Sequence, residues 1–415
     1  MLVFILNPDH RALPPRLTQN DVLSAFPLWR CEIVEGAIGE RMNAILDGYN
    51  APFFLTLLAG ERLNAGCLAG LRTLGDQLDD ETACLCPSVA PDRRGPVVWR
   101  TSAVQENDGF ADCDWLPFQS LVLIDMMNRL SQGWRIAELP AALWQPGVYP
   151  RPAAWRKAPE MRERIAPLLR SRPVPSLSAG TPFFSVALCA YNAAATLCWS
   201  IRSVLAQADG DWELFVVNDG SDDETAALLT RLPDDPRIRI LTHARNQGKV
   251  RCLNEALAAS RGRWLLELDA DDWLADDCLT QFRKQIADSE KPCGLWYADH
   301  DEWLERPEGE PLFRRTAKAM TEFDETKLLE AASPLAPRLY RTEALRRLGG
   351  WWEHGLFDGR LYEDFQMIVR LARLYPVRRI PAALYHRRLR ADSVTRTNLD
   401  GYAAWKSWFE HAVRK

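Results

Sequence analysis

From residue 183 onward the chain alternates short, almost wholly apolar runs with stretches of helical periodicity, and few architectures accept that pattern. Residues 183–190 are nearly continuously apolar, as a strand buried on both faces requires. Leu197, Ile201, Val204 and Leu205 then recur at helical spacing. Residues 214–217 form a second apolar run, followed by Ala226, Leu228, Leu229 and Leu232 on a helical stripe. Residues 238–241 give a third strand, Val250, Leu253 and Leu257 its helix, and residues 264–268 a fourth strand. The alternation predicts an α/β domain with a mostly parallel sheet, helices on both faces, and ligands at the carboxyl ends of the strands. The polar clusters of this half all lie at such ends.

A chain of 415 residues exceeds one ordinary core and suggests two domains. Apolar and charged fractions of 47% and 26% are those of a globular protein. A net charge of −5 without a basic run argues against a nucleic-acid partner. The ten cysteines lack paired metal-ligand spacing and read as buried free thiols in a reducing cytosol. The apolar opening of residues 1–6 lacks the basic flank and the length of a signal peptide. No stretch approaches the roughly 18 apolar residues of a spanning helix. The expectation is a cytoplasmic protein, soluble or at most peripheral to the inner face of the membrane. Proline is dense between Pro146 and Pro182, which breaks regular structure and stiffens a connector. The predicted division is a module over 1–147, a linker over 148–181, a second domain over 182–400 and a C-terminal amphipathic helix over 401–415.

Three carboxylates in the turn Asp269-Ala270-Asp271-Asp272 follow directly on the fourth strand. Such a cluster either stays solvated or binds a hard divalent cation through oxygen ligands. Asn218-Asp219-Gly220-Ser221-Asp222-Asp223-Glu224 follows the second strand. Ser221 and Glu224 have the spacing of a capping box, which leaves Asp219 unexplained. Asn246-Gln247-Gly248-Lys249 opens a helix after the third strand, an arrangement that suits an anion as well as an ordinary turn. Glu363-Asp364 opens the periodic pattern Phe365, Ile368, Val369 and Leu371. A helix dipole favours ionised carboxylates there, whether they merely enrich the helix start or act as a base.

Taken in order, Ala190-Tyr191-Asn192, Asn218-Asp219-Gly220-Ser221, Asn246-Gln247-Gly248-Lys249, Asp269-Ala270-Asp271-Asp272 and Glu363-Asp364 resemble the inverting GT-A glycosyltransferases of glycosyltransferase family 2, over roughly residues 183–397. The resemblance implies a GT-A domain that moves a sugar from a nucleotide-sugar donor, by family habit a UDP-sugar, to an acceptor hydroxyl with inversion. It implies that Ala190, Tyr191, Asp219, Asn246, Lys249, Asp269 and Ala270 line the nucleotide-sugar pocket. It implies also that Asp271, with Asp269, holds Mn²⁺ or Mg²⁺, and that Asp364, beside Glu363, is the base. Residues 385–393 resemble the family's closing loop. There His386 is either a further metal ligand or structural, and Arg387 and Arg390 either contact phosphate or are solvated. Trp351 and Trp352 flank the expected acceptor side, where indoles stack on sugar rings or pack in a core. The family usually shows Pro-Thr where this chain has Cys189-Ala190, so a threonine contact to the base is lost. The acceptor is a saccharide, a lipid-linked saccharide or a peptide, and polysaccharide biosynthesis is one setting. The alternatives are a peptide- or protein-modifying glycosyltransferase and a non-catalytic carbohydrate- or nucleotide-binding scaffold subunit.

The first half carries an imperfect repeat of the second. Residues 43–68 overlay residues 254–279 without a gap, with Asn43/Asn254, Leu46/Leu257, Leu55/Leu266, Leu57/Leu268 and Leu63/Leu274 identical. At a larger offset, residues 140–144 match residues 381–385. The overlay lays Leu58 on Asp269, Gly60 on Asp271 and Leu123 on Asp364. It predicts a shortened, degenerate GT-A-like module without metal ligands or base, serving as scaffold, homodimer surface or acceptor platform. At the C-terminus Tyr402, Trp405, Trp408, Phe409 and Ala412 share one helical face. Such a stripe docks at a bilayer or packs on the protein itself. The second outcome is expected, beside the Glu363 helix or against the N-terminal module.

Overall fold

The computed structural model describes residues 1–7, 15–63, 78–86, 96–111, 122–139, 144–145, 165, 168, 180–232, 234–289, 292–305, 311–332, 335–390 and 399–413. The chain divides into two compact units, Met1–Ser171 and Arg172–Lys415. Their boundary falls inside the proline-dense stretch, most of which lies outside the described residues.

The first unit contains β1 (Leu2–Leu6), β2 (Arg30–Val34), β3 (Phe53–Leu58), β4 (Arg62–Leu63), β5 (Thr82–Cys86), β6 (Val97–Arg100), β7 (Arg135–Glu138) and β8 (Trp144–Gln145). Six of these form a sheet in the order β2-β1-β3-β6-β5-β7, and β4 pairs with β8. Pairing is parallel from β2 through β1 to β3 and between β5 and β7, and antiparallel on both sides of β6. Val3, Ile5, Leu55, Leu57 and Val98 meet in its core.

The second unit contains β9 (Phe184–Ala190), β10 (Trp212–Asn218), β11 (Ile238–Thr242), β12 (Trp264–Asp269), β13 (Trp273–Leu274), β14 (Leu295–Leu304), β15 (Leu312–Ala317), β16 (Arg338–Arg341) and β17 (Val377–Leu389). The order is β11-β10-β9-β12-β16-β14-β17-β13, with β15 on β14. The four strands expected from the alternation are all parallel and sit side by side. Beyond β12 the sheet turns mixed: β16 runs antiparallel to β12 and β14, and β14 and β17 are parallel. Every residue of β10 is buried, Glu213 and Asn218 included, as expected of a strand covered on both faces.

Two expectations are corrected. Ser221 and Glu224 form no capping box: the helix Thr225–Leu229 starts later, with the Asp223 carboxylate accepting the Thr225 amide at 2.9 Å. Ser221 instead accepts the Asn192 amide at 3.0 Å, tying together the turns after β9 and β10. The C-terminal helix packs on the protein itself, beside the Glu363 helix. It spans Leu399–Ala412, and Trp405 and Phe409 enter one core with Phe365 and Met367 of the Glu363–Ala372 helix. Trp351 and Trp352 belong to the same core. Trp351 is buried against Tyr340, and Trp352 packs among Trp408, Phe409 and the Arg370 guanidinium. Among the described residues no helix is long and apolar enough to cross a membrane, and the cysteines are free thiols.

Candidate active site

The carboxyl ends of β9, β10 and β12 and the start of the Glu363–Ala372 helix open onto a cavity of about 440 Å³, within the range of small-molecule sites. Its floor is an ion network. Glu267 would be an isolated charge inside the apolar β12, a costly arrangement unless paired. Arg338, its register partner on β16, closes two hydrogen bonds with it, at 3.0 and 2.9 Å. Lys249, at the start of the Lys249–Ala259 helix, places its ammonium 2.6 Å from Asp269, 2.9 Å from Glu267 and 3.1 Å from Glu363. Arg338 also reaches Asp269 at 3.4 Å and Asp364 at 3.6 Å. Two cations therefore hold four carboxylates in place.

Electrostatics separates those carboxylates. Burial alone would raise Asp269, but Lys249 and Arg338 hold it well below the usual range. Burial raises Asp364 above its ordinary value, with Arg338 opposing and Glu267 adding to the rise. Burial likewise raises Glu363 against the pull of Lys249. Glu363 is engaged by an ammonium at 3.1 Å, whereas the nearest cation to Asp364 is 3.6 Å away. Asp364 is thus the less committed proton acceptor.

On the opposite side, Tyr191 is half exposed and lines the cavity with Cys189, Ala190 and Asn246. Asp219 also lines it, but its carboxylate accepts the Gln247 and Gly248 amides at 2.8 Å each and meets His243 Nδ1 at 2.7 Å. It therefore fixes the turn that carries Asn246 and Lys249. Gly248 adopts φ 97° there, which a side chain rarely allows. The second nitrogen of His243 meets Glu255 at 2.6 Å. Burial lowers the His243 pKa, and the hydrogen bonds to Asp219 and Glu255 outweigh it, leaving the value raised. Asp219, His243 and Cys252 bring donor atoms within 4.8 Å of one another. With Asp219 spent on three donors and His243 between two carboxylates, this cluster is a hydrogen-bonded brace.

The acidic turn splits by role. All four residues of the turn line the cavity, but Asp272 is buried and accepts the Arg388 amide at 2.7 Å, which pins the turn to β17. Asp271 meets Arg390 at 2.8 Å. Two carboxylates on one turn, open to a polar cavity, offer the hard oxygen donors that suit Mg²⁺ or Mn²⁺. His386 does not join them. Strand alternation turns Tyr385 and Arg387 toward the site and His386 away, where it stacks on Trp273 and accepts the Trp303 indole N–H at 3.2 Å. Arg387 and Arg390 do line the cavity; Trp351 and Trp352 do not.

Sequence reasoning missed Glu267, Arg338, Arg360, Tyr362 and Tyr402. Glu267 carried a usable signal, a lone charge inside an apolar strand. Arg360 had none: it reaches Asn246 at 2.9 Å from a loop of irregular backbone.

Residues 185–349 match the family model described as Glycosyl transferase family 2. The second unit carries a glycosyl transferase family 2 domain. The succinoglycan biosynthesis protein ExoO of Rhizobium meliloti is 41% identical over 98 residues, covering 24% of this chain and 28% of that protein. The Escherichia coli UDP-Glc:alpha-D-GlcNAc-diphosphoundecaprenol beta-1,3-glucosyltransferase WfgD is 39% identical over 93 residues, 22% of this chain and 36% of that one. A Pasteurella multocida chondroitin synthase is 27% identical over 224 residues, 53% of this chain and 22% of the relative. The chain thus spans about a quarter to a third of these relatives' length. Among solved structures, S. aureus TarS in complex with UDP is similar at a TM-score of 0.41 and 19% identity, over 50% of this chain and 60% of that one. The mannosyltransferase PcManGT from Pyrobaculum calidifontis, in complex with GDP-Man and Mn2+, is similar at 0.43 and 17% identity, over 63% and 73%.

Proposed function

We propose that the protein is an inverting, metal-dependent glycosyltransferase that takes a sugar from a nucleotide-sugar, most simply a UDP-sugar, to a saccharide or lipid-linked acceptor hydroxyl. The observation that carries this reading is the meeting, in one cavity, of the acidic turn Asp269–Asp271 and Asp364, whose nearest cation is Arg338 at 3.6 Å. The name of WfgD supports the donor and acceptor classes, since it gives UDP-Glc and a lipid diphosphate-linked sugar.

In this reading Tyr191 and Asn246 flank the nucleotide, and Asp219 keeps the Asn246 turn in place for it. Asp271 and Asp269 would hold the Mn²⁺ or Mg²⁺, which when bound supplies positive charge for the departing diphosphate. Arg387 and Arg390 line the same wall and add cationic side chains there. Asp364 accepts the acceptor's hydroxyl proton as that oxygen bonds to the anomeric carbon and the carbon–phosphate oxygen bond breaks. A single displacement of this kind converts an α-linked donor into a β-linked product. Lys249 and Arg338 fix the carboxylate positions and take no proton.

A panel of nucleotide-sugars, scored by thermal shift with Mn²⁺, identifies the donor. Hydrolysis of that donor is then compared with and without Mn²⁺ in the parent and in Asp271→Asn. The reading predicts metal-dependent turnover that the variant loses; equal turnover in both proteins would sink the metal assignment.

A further inference from the structure

Six strands of each unit follow one order once β9 is taken out of the second: β2-β1-β3-β6-β5-β7 and β11-β10-β12-β16-β14-β17. In the second unit Leu214 on β10 pairs with Val186 on β9, which pairs with Leu266 on β12. In the first unit Val3 on β1 pairs directly with Leu55 on β3. The overlay that lays Asn43 on Asn254 also lays Val3 on Leu214 and Leu55 on Leu266. The register is therefore the one left after cutting out β9 and closing the gap. The agreement continues outward. Phe54–Trp99 answers Leu265–Tyr340, Cys84–Trp99 answers Leu295–Tyr340, Cys84–Ile136 answers Leu295–Val377, and Leu63–Trp144 answers Leu274–Tyr385.

Side-chain devices recur at the same places. Asn43 donates to the Phe110 carbonyl and accepts its amide, both at 2.8 Å; Asn254 does the same to Trp351 at 3.0 and 2.9 Å. Each held residue follows a glycine at positive φ, Gly109 at 68° and Gly350 at 75°. An added Cβ would come within 2.5 and 2.4 Å of the respective asparagine oxygen. Arg129 donates to the carbonyls of Asn107 and Gly109, and Arg370 to those of Leu348 and Gly350. Two unrelated sheets have no physical reason to share these long-range contacts.

The chemistry is not shared. Lys249, Glu267, Arg338, Glu363 and Asp364 are answered by Ile38, Thr56, Val97, Val122 and Leu123, each no more than 5% exposed. The one polar member, Thr56, spends its hydroxyl on the Trp99 indole at 2.8 Å. Asp269 and Asp271 are answered by Leu58 and Gly60. We propose that the first unit is a second copy of the family 2 domain, that it has lost the first strand, and that apolar side chains fill its catalytic floor, so the protein has one donor site where its duplicated fold could have had two. The count of donor sites rests on the function proposed above; the filled floor does not.

Two measurements on the full chain test this. Hydrogen exchange with UDP or GDP plus Mn²⁺ is expected to slow peptides around Tyr191, Asn246 and Asp271, with no change at residues 38–63 or 97–130. Slowing in the first unit overturns the proposal, whereas no slowing in either unit overturns the donor reading of the second. The filled floor is tested without ligand by Ile38→Lys, which puts an ammonium where Thr56, Leu58 and Val122 replace the carboxylates that hold Lys249. Its melting temperature should fall by roughly 5 °C or more, or the first unit should not fold, while Ile38→Met melts within about 2 °C of the parent. Parent-like melting of Ile38→Lys means an open, hydrated pocket and overturns the proposal.

Discussion

Glu267 and Arg338 stand opposite one another on β12 and β16 and close a two-point ion pair beneath the cavity, with side chains 0% and 4% exposed. Both are buried, and Arg338 also reaches Asp269 and Asp364, so the pair bears on where those two cavity-lining carboxylates stand.

Arg338→Met should therefore cost stability as well as activity. Breaking a buried pair by removing one partner typically costs about 3–5 kcal/mol, and here Lys249 retains part of the compensation for Glu267. Denaturant unfolding should show a loss toward the lower end of that range. Glu267→Met combined with Arg338→Met should recover much of it without restoring turnover, because Asp364 loses its neighbouring cation. A double variant no more stable than the single one would mean that the pair is not the cause.

Asp364→Asn should leave nucleotide-sugar affinity within a few-fold and lower turnover by about 10²–10⁴, the usual worth of a positioned base. A base works ionised, so a raised Asp364 pKa moves the acid limb of the rate profile above the ordinary carboxylate range. That limb should vanish in the variant's residual rate. Loss of affinity together with turnover would make Asp364 a donor ligand instead.

His243 gives a pH-dependent stability of the opposite sense. Its folded pKa is raised by Asp219 and Glu255 despite burial, so its stabilising contribution is full below the unfolded value of about 6.5. It is lost as pH rises through the folded pKa. The stability gap between the parent and His243→Gln, from denaturant melts, should be larger at pH 6 than at pH 9. A gap that is constant or grows with pH would show that the imidazolium is not what braces Asp219.

What the sequence revealed and what it hid divide along physical lines. The four parallel strands were legible because each carries a short, mostly apolar run, which in β9, β10 and β12 reflects burial on both faces, and their carboxyl ends located Tyr191, Asp219, Lys249 and Asp271. The strand β14 was not, because Asp299, His300, Asp301 and Glu302 interrupt it. Their partners are distant: Arg379 for Asp299, Thr316 for Asp301 and Arg315 for Glu302. A charge reads as exposed until its counter-charge is known, and register supplies that only in three dimensions. His386 failed for a simpler reason. Its ring is buried in the core, stacked on Trp273 and bonded to the Trp303 indole, and no local pattern announces those partners. Trp351 was drawn into the core by Asn254, a contact across 97 positions that no local pattern announces.

The C-terminal helix closes the second unit's core, and its removal in part should be felt at the active site. Trp405 is 2% exposed and stacks on Phe409 at 5.0 Å, while Tyr402 packs on Phe365 and donates its hydroxyl to the Leu329 carbonyl at 2.8 Å. Tyr402 also lines the cavity, and Phe365 directly follows Asp364. Truncating a buried Trp typically costs about 3–5 kcal/mol, so Trp405→Ala with Trp408→Ala should lower the stability of the second unit in plain buffer by at least that amount. Because the helix supports the first turn that presents Asp364, turnover should fall more than donor affinity at temperatures where the variant stays folded. Sedimentation with anionic liposomes gives the contrasting readout. If the double variant melts like the parent but loses vesicle binding, the aromatic stripe serves a bilayer and the packing account of the helix is wrong.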